Sequence, residues 1–353
     1  MATVGGIQSY MWRLWEMLDV ISQTNGSRVN GLSLMDKPEL LAACSNHVQL
    51  RPGGASGRRV RFLQLAMSRS YNADCIVVGH IHLASVALLA RCLGRTKRYV
   101  VVMHGIEAWQ RATLLQRIGL RHADVVVVTT RFTAETCAKI NGLPSQNFKV
   151  IPLCAEPKPA MPDPNFVLDG AFPILFVGRL AKTEKYKGLE TLMQSVARLF
   201  KAQVPCKIHV IGDGDDRPRL QALALSFGLT GNTIRFHGQV SDAVLQAAYA
   251  SAKVFAMPSS KEGFGIVFLE AMRHGVPCIG GAHGGTPEVF SSGSEGFLVN
   301  YDDVVTLAQH LQTLITDEKL RQRFAIAGRQ RFVSQYTFTP FFQRWLALLH
   351  EHQ

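Results

Sequence analysis

Short apolar, β-branched runs alternate with stretches of helical period along nearly the whole chain, and this alternation constrains the fold more than any other feature. Strands are expected at Cys75–Gly79, Tyr99–Met103, Val125–Thr129, Phe148–Pro152, Ile174–Gly178, Ile208–Gly212, Thr233–Phe236, Val254–Met257 and Val276–Gly280. Helices are expected at Gln8–Val20, Lys187–Phe200, Arg217–Phe227, Ala243–Ala252 and Asp303–Leu314. Strands separated by a dozen or so helical residues build βαβ units around a parallel sheet. Several strands are apolar throughout, as they must be when helices cover both faces.

At 353 residues the chain is longer than one hydrophobic core usually serves. Cys154–Asp169 holds Pro157, Pro159, Pro162 and Pro164 and has neither helical nor strand period. Proline fixes φ and removes a donor, so this stretch reads as a connector. The expected fold class is therefore α/β, with two Rossmann-like domains, parallel sheets and a cleft between them. The boundaries are residues 1–153 for the first domain, 154–171 for the connector and 172–335 for the second domain. A C-terminal helix, 336–353, is expected to pack back on the first domain. A domain of this type should open on a strand that feeds a glycine loop, yet the chain reaches Gly5-Gly6 at once.

Composition narrows the class of protein. Hydrophobic residues make up 47% and charged residues 18%, which suits a folded soluble protein. No run approaches the roughly 18–20 apolar residues of a spanning helix. The N-terminus lacks the basic and apolar regions of a secretion leader, so a cytoplasmic protein is expected. The seven cysteines are scattered and form no C-x-x-C pair, which points to buried thiols rather than a zinc or redox site. Residues 1–150 carry 18 Lys+Arg against 8 Asp+Glu, a net of +10, while the remainder carries 20 against 18, a net of +2. The basic half should meet an anionic partner. No helix-turn-helix, zinc-finger or RNA-binding pattern accompanies the charge, so nucleic acid is not expected. Arg58, Arg59, Arg61 and Arg69 flank a short helix with Phe62, Leu65 and Ala66 on one face. That arrangement suits an anionic membrane surface or the phosphate of a lipid-linked acceptor, and equally an ordinary amphipathic helix on a sheet.

The densest chemistry lies in Pro258-Ser-Ser-Lys-Glu262-Gly-Phe-Gly-Ile-Val-Phe-Leu-Glu270. Glycines loosen the backbone before an apolar helix, so Glu262 falls in a loop at the helix N-terminus and Glu270 about one turn in. Exposed N–H groups there favour anions, and a carboxylate there can accept sugar hydroxyls. Asp213-Gly-Asp215-Asp216 follows a strand and precedes a helix, and turn formation or capping explains it as well as a metal site would. Gly212-x-Gly214 lacks the third glycine and the distal acid of a dinucleotide fingerprint.

The E-x7-E spacing of Glu262 and Glu270 resembles the signature of retaining GT-B glycosyltransferases, in particular glycosyltransferase family 4. Further segments agree in the same order: Phe176-Val-Gly-Arg179-Leu with Lys187-Gly188, Val210-Ile-Gly-Asp-Gly214, Phe236-His-Gly238, Gly284-Gly285-Thr286-Pro287-Glu288 and Gly296-Phe-Leu-Val299. The likeness spans Ile174 to about Tyr336 and is looser in the first half, through Gly5-Gly6-Ile7, His80/His82 and Val102-Met-His104-Gly105. It implies a GT-B fold and retaining, metal-independent transfer of a sugar from a UDP- or GDP-sugar to a hydroxyl acceptor.

The resemblance also implies roles. Arg179 and Lys187 would neutralise the departing nucleoside diphosphate in place of a metal. Glu262 would hold the hydroxyls of the donor sugar and Glu270 those of the ribose. Gly178, Gly263, Phe264, Gly265, Ile266, Gly284, Gly285 and Thr286 would line the donor site, and Gly5 and Gly6 would let backbone approach the diphosphate. His104, at a strand end, would face the donor sugar and acceptor. His80, His82, Arg58 and Arg59 are candidates on the acceptor side. No metal or other cofactor is expected. The acceptor would be a surface glycan or lipid-linked intermediate at the inner face of the membrane. Rival readings are a GT-B nucleotide-sugar epimerase and a non-catalytic GT-B scaffold subunit.

Overall fold

A computed structural model describes residues 6–37, 51–155 and 161–351. The chain divides into two compact units. One holds the chain up to Cys154 together with Phe341 onward, and the other runs from Ala155 to Pro340.

The first unit comprises α1 (Gly6–Asn25), β1 (Asn30–Ser33), β2 (Arg51–Gly54), α2 (Arg59–Arg69), β3 (Ala73–Val78), α3 (Ala84–Cys92), β4 (Thr96–Met103), α4 (Leu114–Arg121), β5 (Val125–Val128), α5 (Arg131–Asn141) and β6 (Phe148–Val150). β3, β4, β5 and β6 form a parallel sheet in that order, while β1 and β2 pair only with each other, also in parallel. Tyr99, Val101 and Met103 of β4 and Val126 and Val128 of β5 share one core cluster with Ala84 and Ala87 of α3, Leu120 of α4 and Cys137 of α5. Their alternation places them on one sheet face, and helices cover it. Among the described residues this unit opens on a helix, not on the strand expected before the glycine loop.

The last helix (Phe338–His350) buries Phe341, Trp345 and Leu348, spaced to share one face. α1 buries Tyr10, Leu14 and Met17 at the same kind of spacing. The Trp345 indole N–H donates to the Tyr10 hydroxyl at 3.2 Å, and that hydroxyl donates to the Ile151 carbonyl at 3.3 Å. Phe341 meets the Tyr10 ring edge-on at 5.4 Å. Each large side chain fully buried contributes about 1.5–3 kcal/mol, and the paired polar atoms avoid the penalty of an orphaned donor.

The second unit comprises β7 (Pro173–Val177), α6 (Leu189–Lys201), β8 (Lys207–Ile211), α7 (Arg217–Ser226), β9 (Ile234–Gly238), α8 (Asp242–Ser251), β10 (Val254–Met257), α9 (Ile266–Arg273), β11 (Cys278–Gly281), α10 (Thr286–Val289), β12 (Gly296–Val299), α11 (Val304–Thr316) and α12 (Glu318–Gln335). Its six strands are parallel in the order β12-β11-β10-β7-β8-β9. The chain moves outward from β7 to β9, then returns to lay β10 on the other side of β7. Ligands of open α/β sheets gather at such a switch point, beyond the strands' carboxyl ends.

Beyond shifts of a few residues at element ends, two features differ from the sequence expectation. The described part of the proline-rich stretch is docked on α8 rather than standing apart, with Asp163 N–H donating to the Ala243 carbonyl and Leu168 N–H to the Ser251 hydroxyl. β11 starts at Cys278 rather than Val276, because the Val276 N–H closes the end of α9 on the Ala271 carbonyl and Pro277 has no N–H to give.

Candidate active site

Three loops leave the carboxyl ends of β7, β8 and β10, and close backbone contacts fix them to one another. Gly178 N–H donates to the Ile211 carbonyl at 3.0 Å, and Leu180 N–H to the Asp213 carbonyl at 2.9 Å. Gly212, at φ +130°, lies so near the first loop that a Cβ would fall 2.0 Å from the Gly178 carbonyl oxygen. The Gly212-x-Gly214 pair is thus a loop-packing device. The β7 loop continues through a 3₁₀ segment, Lys182–Lys187, and closes at Gly188 with φ +80°. A Cβ there would sit 2.3 Å from the Pro258 carbonyl oxygen, and Ser260 N–H donates to the Tyr186 carbonyl at 2.8 Å. The segment bearing Lys187 is therefore pinned to the loop bearing Glu262.

Charge concentrates where these loops meet. The buried Glu184 carboxylate takes Lys187 Nζ on Oε2 at 2.7 Å and Arg179 Nη2 on Oε1. Lys187 is mostly covered, whereas the Arg179 side chain is 72% exposed. Gly178 lies against the lysine, since a Cβ there would approach Nζ to 3.2 Å. Burial pushes the Glu262 carboxyl up to about 7; the charge of Lys187 opposes this and that of Glu184 adds to it. The backbones of Gly263 and Phe264 hydrogen-bond the Glu262 carboxyl, so those two groups first serve the side chain beside them. Gly285 N–H donates to the Glu262 carbonyl at 2.7 Å and ties the loop to the Gly284-Gly285-Thr286 turn. Phe264 turns its ring toward Tyr336 at 5.8 Å, and Gly265, left-handed at φ +87°, starts α9 at Ile266.

Glu270 lies one turn into α9 and accepts from the Tyr249 hydroxyl at 2.8 Å on Oε2. Burial raises its pKa, and the Tyr249 bond only partly offsets that. The hydroxyls of Ser259 and Thr286 are buried on either side of this loop system and find no partner among the described residues. The three aspartates of the Asp213–Asp216 cluster have separate partners. Asp213 pairs with Arg217 at 2.9 Å, Asp215 accepts from Lys182 N–H at 3.0 Å, and Asp216 pairs with Arg219 at 2.6 Å. Among the described residues no three His, Cys, Asp or Glu converge as a metal-ligand set.

The first unit gathers its candidates at the ends of β3 and β4. The buried His104 ring donates from Nε2 to the Gly79 carbonyl at 2.9 Å, since a carbonyl can only accept. Nδ1 is then a bare acceptor, and it has no partner among the described residues. Burial lowers the pKa of this ring and keeps it neutral. Tyr10 meets it edge-on at 5.0 Å, and the His104 carbonyl accepts from Thr129 Oγ1 at 2.9 Å. His80 and His82 stack at 4.7 Å, and His82 Nδ1 lies 3.1 Å from the Gln116 amide that caps α4. Gly5 lies outside the described residues. Gly6 opens α1 and is exposed, and a Cβ there would meet nothing within 4 Å. Arg58 and Arg59 are exposed, as is Arg61, but Arg69 donates to the Gly31 carbonyl at 2.8 Å. The expected apolar stripe faces inward: Phe62 is buried and Leu65 and Ala66 are half-buried, because this stripe covers the unit's own interior. Val60 and Leu63 are the apolar residues of α2 that face outward.

The family profile described as glycosyl transferases group 1 matches residues 160–331, and that of the glycosyl transferase 4-like domain matches residues 5–154. A GDP-mannose-dependent α-(1-6)-phosphatidylinositol monomannoside mannosyltransferase of Mycolicibacterium smegmatis is 30% identical over 70% of this chain and 68% of its own length. The chain belongs to the group 1 glycosyl transferases. The lipopolysaccharide core biosynthesis glycosyltransferase LpsE of Rhizobium meliloti is 30% identical over 50% of this chain, which spans about half (49%) of that relative's length. The fold is that of Anabaena HepE in complex with UDP, at a TM-score of 0.78 and 19% identity over 99% of this chain and 98% of that one. The lipopolysaccharide outer core galactosyltransferase WaaB also shares it, at 0.76 and 19% over 100% and 98%.

In this glycosyltransferase the second unit brings Gly178, Arg179, Lys187, Glu262 and the Gly284–Thr286 turn together, with Glu270 a turn deeper. Sequence reasoning missed Glu184 and Tyr249. Glu184 stands three residues before Lys187 within Lys-Thr-Glu-Lys-Tyr-Lys, and that placement was its only signal. No described helix is long and apolar enough to cross a membrane.

Proposed function

We propose that this glycosyltransferase moves a sugar from a UDP- or GDP-sugar to a hydroxyl acceptor with retention of configuration and without a metal. The observation that carries the reading is the pairing of Arg179 and Lys187 on the buried Glu184, with the charge of Lys187 also acting on Glu262, at the switch point between β7 and β10. The bond from the anomeric carbon to the diphosphate oxygen breaks, and its electron pair goes to the diphosphate. Arg179 and Lys187 stabilise the charge that develops there, work a divalent cation does elsewhere. The acceptor oxygen then bonds the anomeric carbon on the face the diphosphate leaves, and its proton passes to a diphosphate oxygen. Glu262 holds donor hydroxyls, and Glu270, oriented by Tyr249, holds the ribose. His104, a neutral ring with a bare Nδ1, can accept a hydrogen bond from a ligand hydroxyl bound to the first unit.

A relative named for GDP-mannose and a fold neighbour crystallised with UDP support both nucleotide classes. A lipid-linked or surface-glycan acceptor fits relatives named for a phosphatidylinositol mannoside and for lipopolysaccharide core. Exposed Arg58, Arg59 and Arg61 beside Val60 and Leu63 favour peripheral contact with an anionic membrane. A thermal-shift screen of UDP- and GDP-sugars tests the reading, because a ligand that binds the native state raises its apparent stability. One nucleotide class should stabilise the protein and then be consumed with an acceptor present. Stabilisation by neither would reject it.

A further inference from the structure

Glu184 has no part in the proposed transfer, yet it is the best-paired acid of the site. Its side chain is 8% exposed, and each carboxylate oxygen meets one of the two cations assigned to the diphosphate. The backbone leaves helical geometry at this residue, with φ −115° and ψ 24°. Burial pushes its carboxyl up, but Lys187 and then Arg179 outweigh that and hold it below the usual range, so it is an anion at neutral pH.

We infer that Glu184 is an internal counter-anion that competes with the donor diphosphate for Arg179, an inference that rests on the donor site proposed above. The two cations differ in what they can do. Lys187 is mostly covered and has three N–H donors, so it can keep Glu184 and still reach a phosphate oxygen. It must keep Glu184, because a buried carboxylate stripped of both partners is strongly unfavourable. Arg179 is largely exposed, and its planar fork matches a phosphate better than a single carboxylate oxygen. It is the group that exchanges. With the site empty, Glu184 keeps both cations from repelling each other. With diphosphate bound, its negative charge remains beside the phosphates, weakens their hold and hastens product release.

The test is calorimetric titration of UDP and GDP into wild type, Glu184→Gln and Glu184→Asp, with thermal unfolding to confirm the fold. Removing one negative charge beside a diphosphate should tighten nucleotide binding about tenfold in Glu184→Gln. Product inhibition should strengthen by the same factor, and Glu184→Asp, still an anion, should stay near wild type. Glu184→Ala is a second neutral variant with the same expected sign if the glutamine does not fold. Weaker or unchanged binding in a folded neutral variant overturns the exchange, because a purely structural carboxylate would weaken binding when lost. Tightening by Glu184→Asp equal to that of Glu184→Gln also overturns it. Failure of wild type to bind either nucleotide would instead reject the donor site itself.

Discussion

The two units share one architecture but organise their polar residues differently. In the second, Glu184, Arg179 and Lys187 are paired with one another, and Glu262 is held by neighbouring backbone groups. In the first, His104 leaves a buried ring nitrogen without a partner among the described residues, and the surface carries Arg58, Arg59 and Arg61 outward. Among the glycines singled out from sequence, Gly188 and Gly212 are required by the protein's own packing, whereas Gly6 meets nothing. The second unit is built to hold charge in a set geometry before a ligand arrives. The first offers a neutral ring with a bare nitrogen and a row of exposed arginines in place of a paired charge cluster.

Rates should separate the units most sharply. Lys187→Ala should lower turnover by about 10²–10³, the usual consequence of losing one electrostatic donor at a developing charge, and Glu262→Ala by a similar factor through loss of its hold on the donor sugar's hydroxyls. His104→Ala should lower it less, because neutral hydrogen bonds are about half as strong as charge-assisted ones. Steady-state assays on the three folded variants check this, and a larger loss from His104→Ala would reverse the assignment.

Stability should separate the glycines. Gly188→Ala combines a left-handed φ with a clash against the Pro258 carbonyl and should cost about 1–3 kcal/mol in denaturant unfolding. Gly6→Ala should leave stability nearly unchanged, since its Cβ would meet nothing within 4 Å. Equal effects on stability would show that the contrast between packing glycines and open ones is wrong.

The smallest expected effect concerns the basic surface. Sedimentation with vesicles containing anionic lipid should fall about tenfold for the Arg58/Arg59/Arg61→Ser variant, each residue near such a surface contributing roughly 1 kcal/mol at most. Arg69→Ser should change binding less, since Arg69 is engaged with Gly31. Added salt should weaken the wild type, as the Debye length falls from about 10 Å at 0.1 M to about 3 Å at 1 M. Identical binding by the triple variant would remove this surface from the membrane contact.

What could be read from sequence follows the same division. Val125–Val128 and Ile174 onward are legible because two-sided burial demands unbroken apolar runs. β1 and β2 are illegible, as Asn-Gly-Leu-Ser and Arg-Pro-Gly-Gly are turn-like and poor in β-formers. Glu262, Glu270, Arg179 and Lys187 stand at spacings that chemistry and resemblance both pick out. Glu184 does not, because an acid among lysines on a short loop reads as solvated until its burial is seen. The α2 stripe was visible, but the side it faces depends on tertiary packing that periodicity does not carry.

The diphosphate site proposed for the second unit works without a metal. Titration of UDP and GDP in the presence of EDTA, into wild type and the Arg179→Ala/Lys187→Ala variant, tests it most directly. Wild type should bind one nucleotide with the chelator present, and the double variant, still folded, should lose that binding. Binding that disappears in EDTA and returns with Mg²⁺, or that survives loss of both cations, would contradict it.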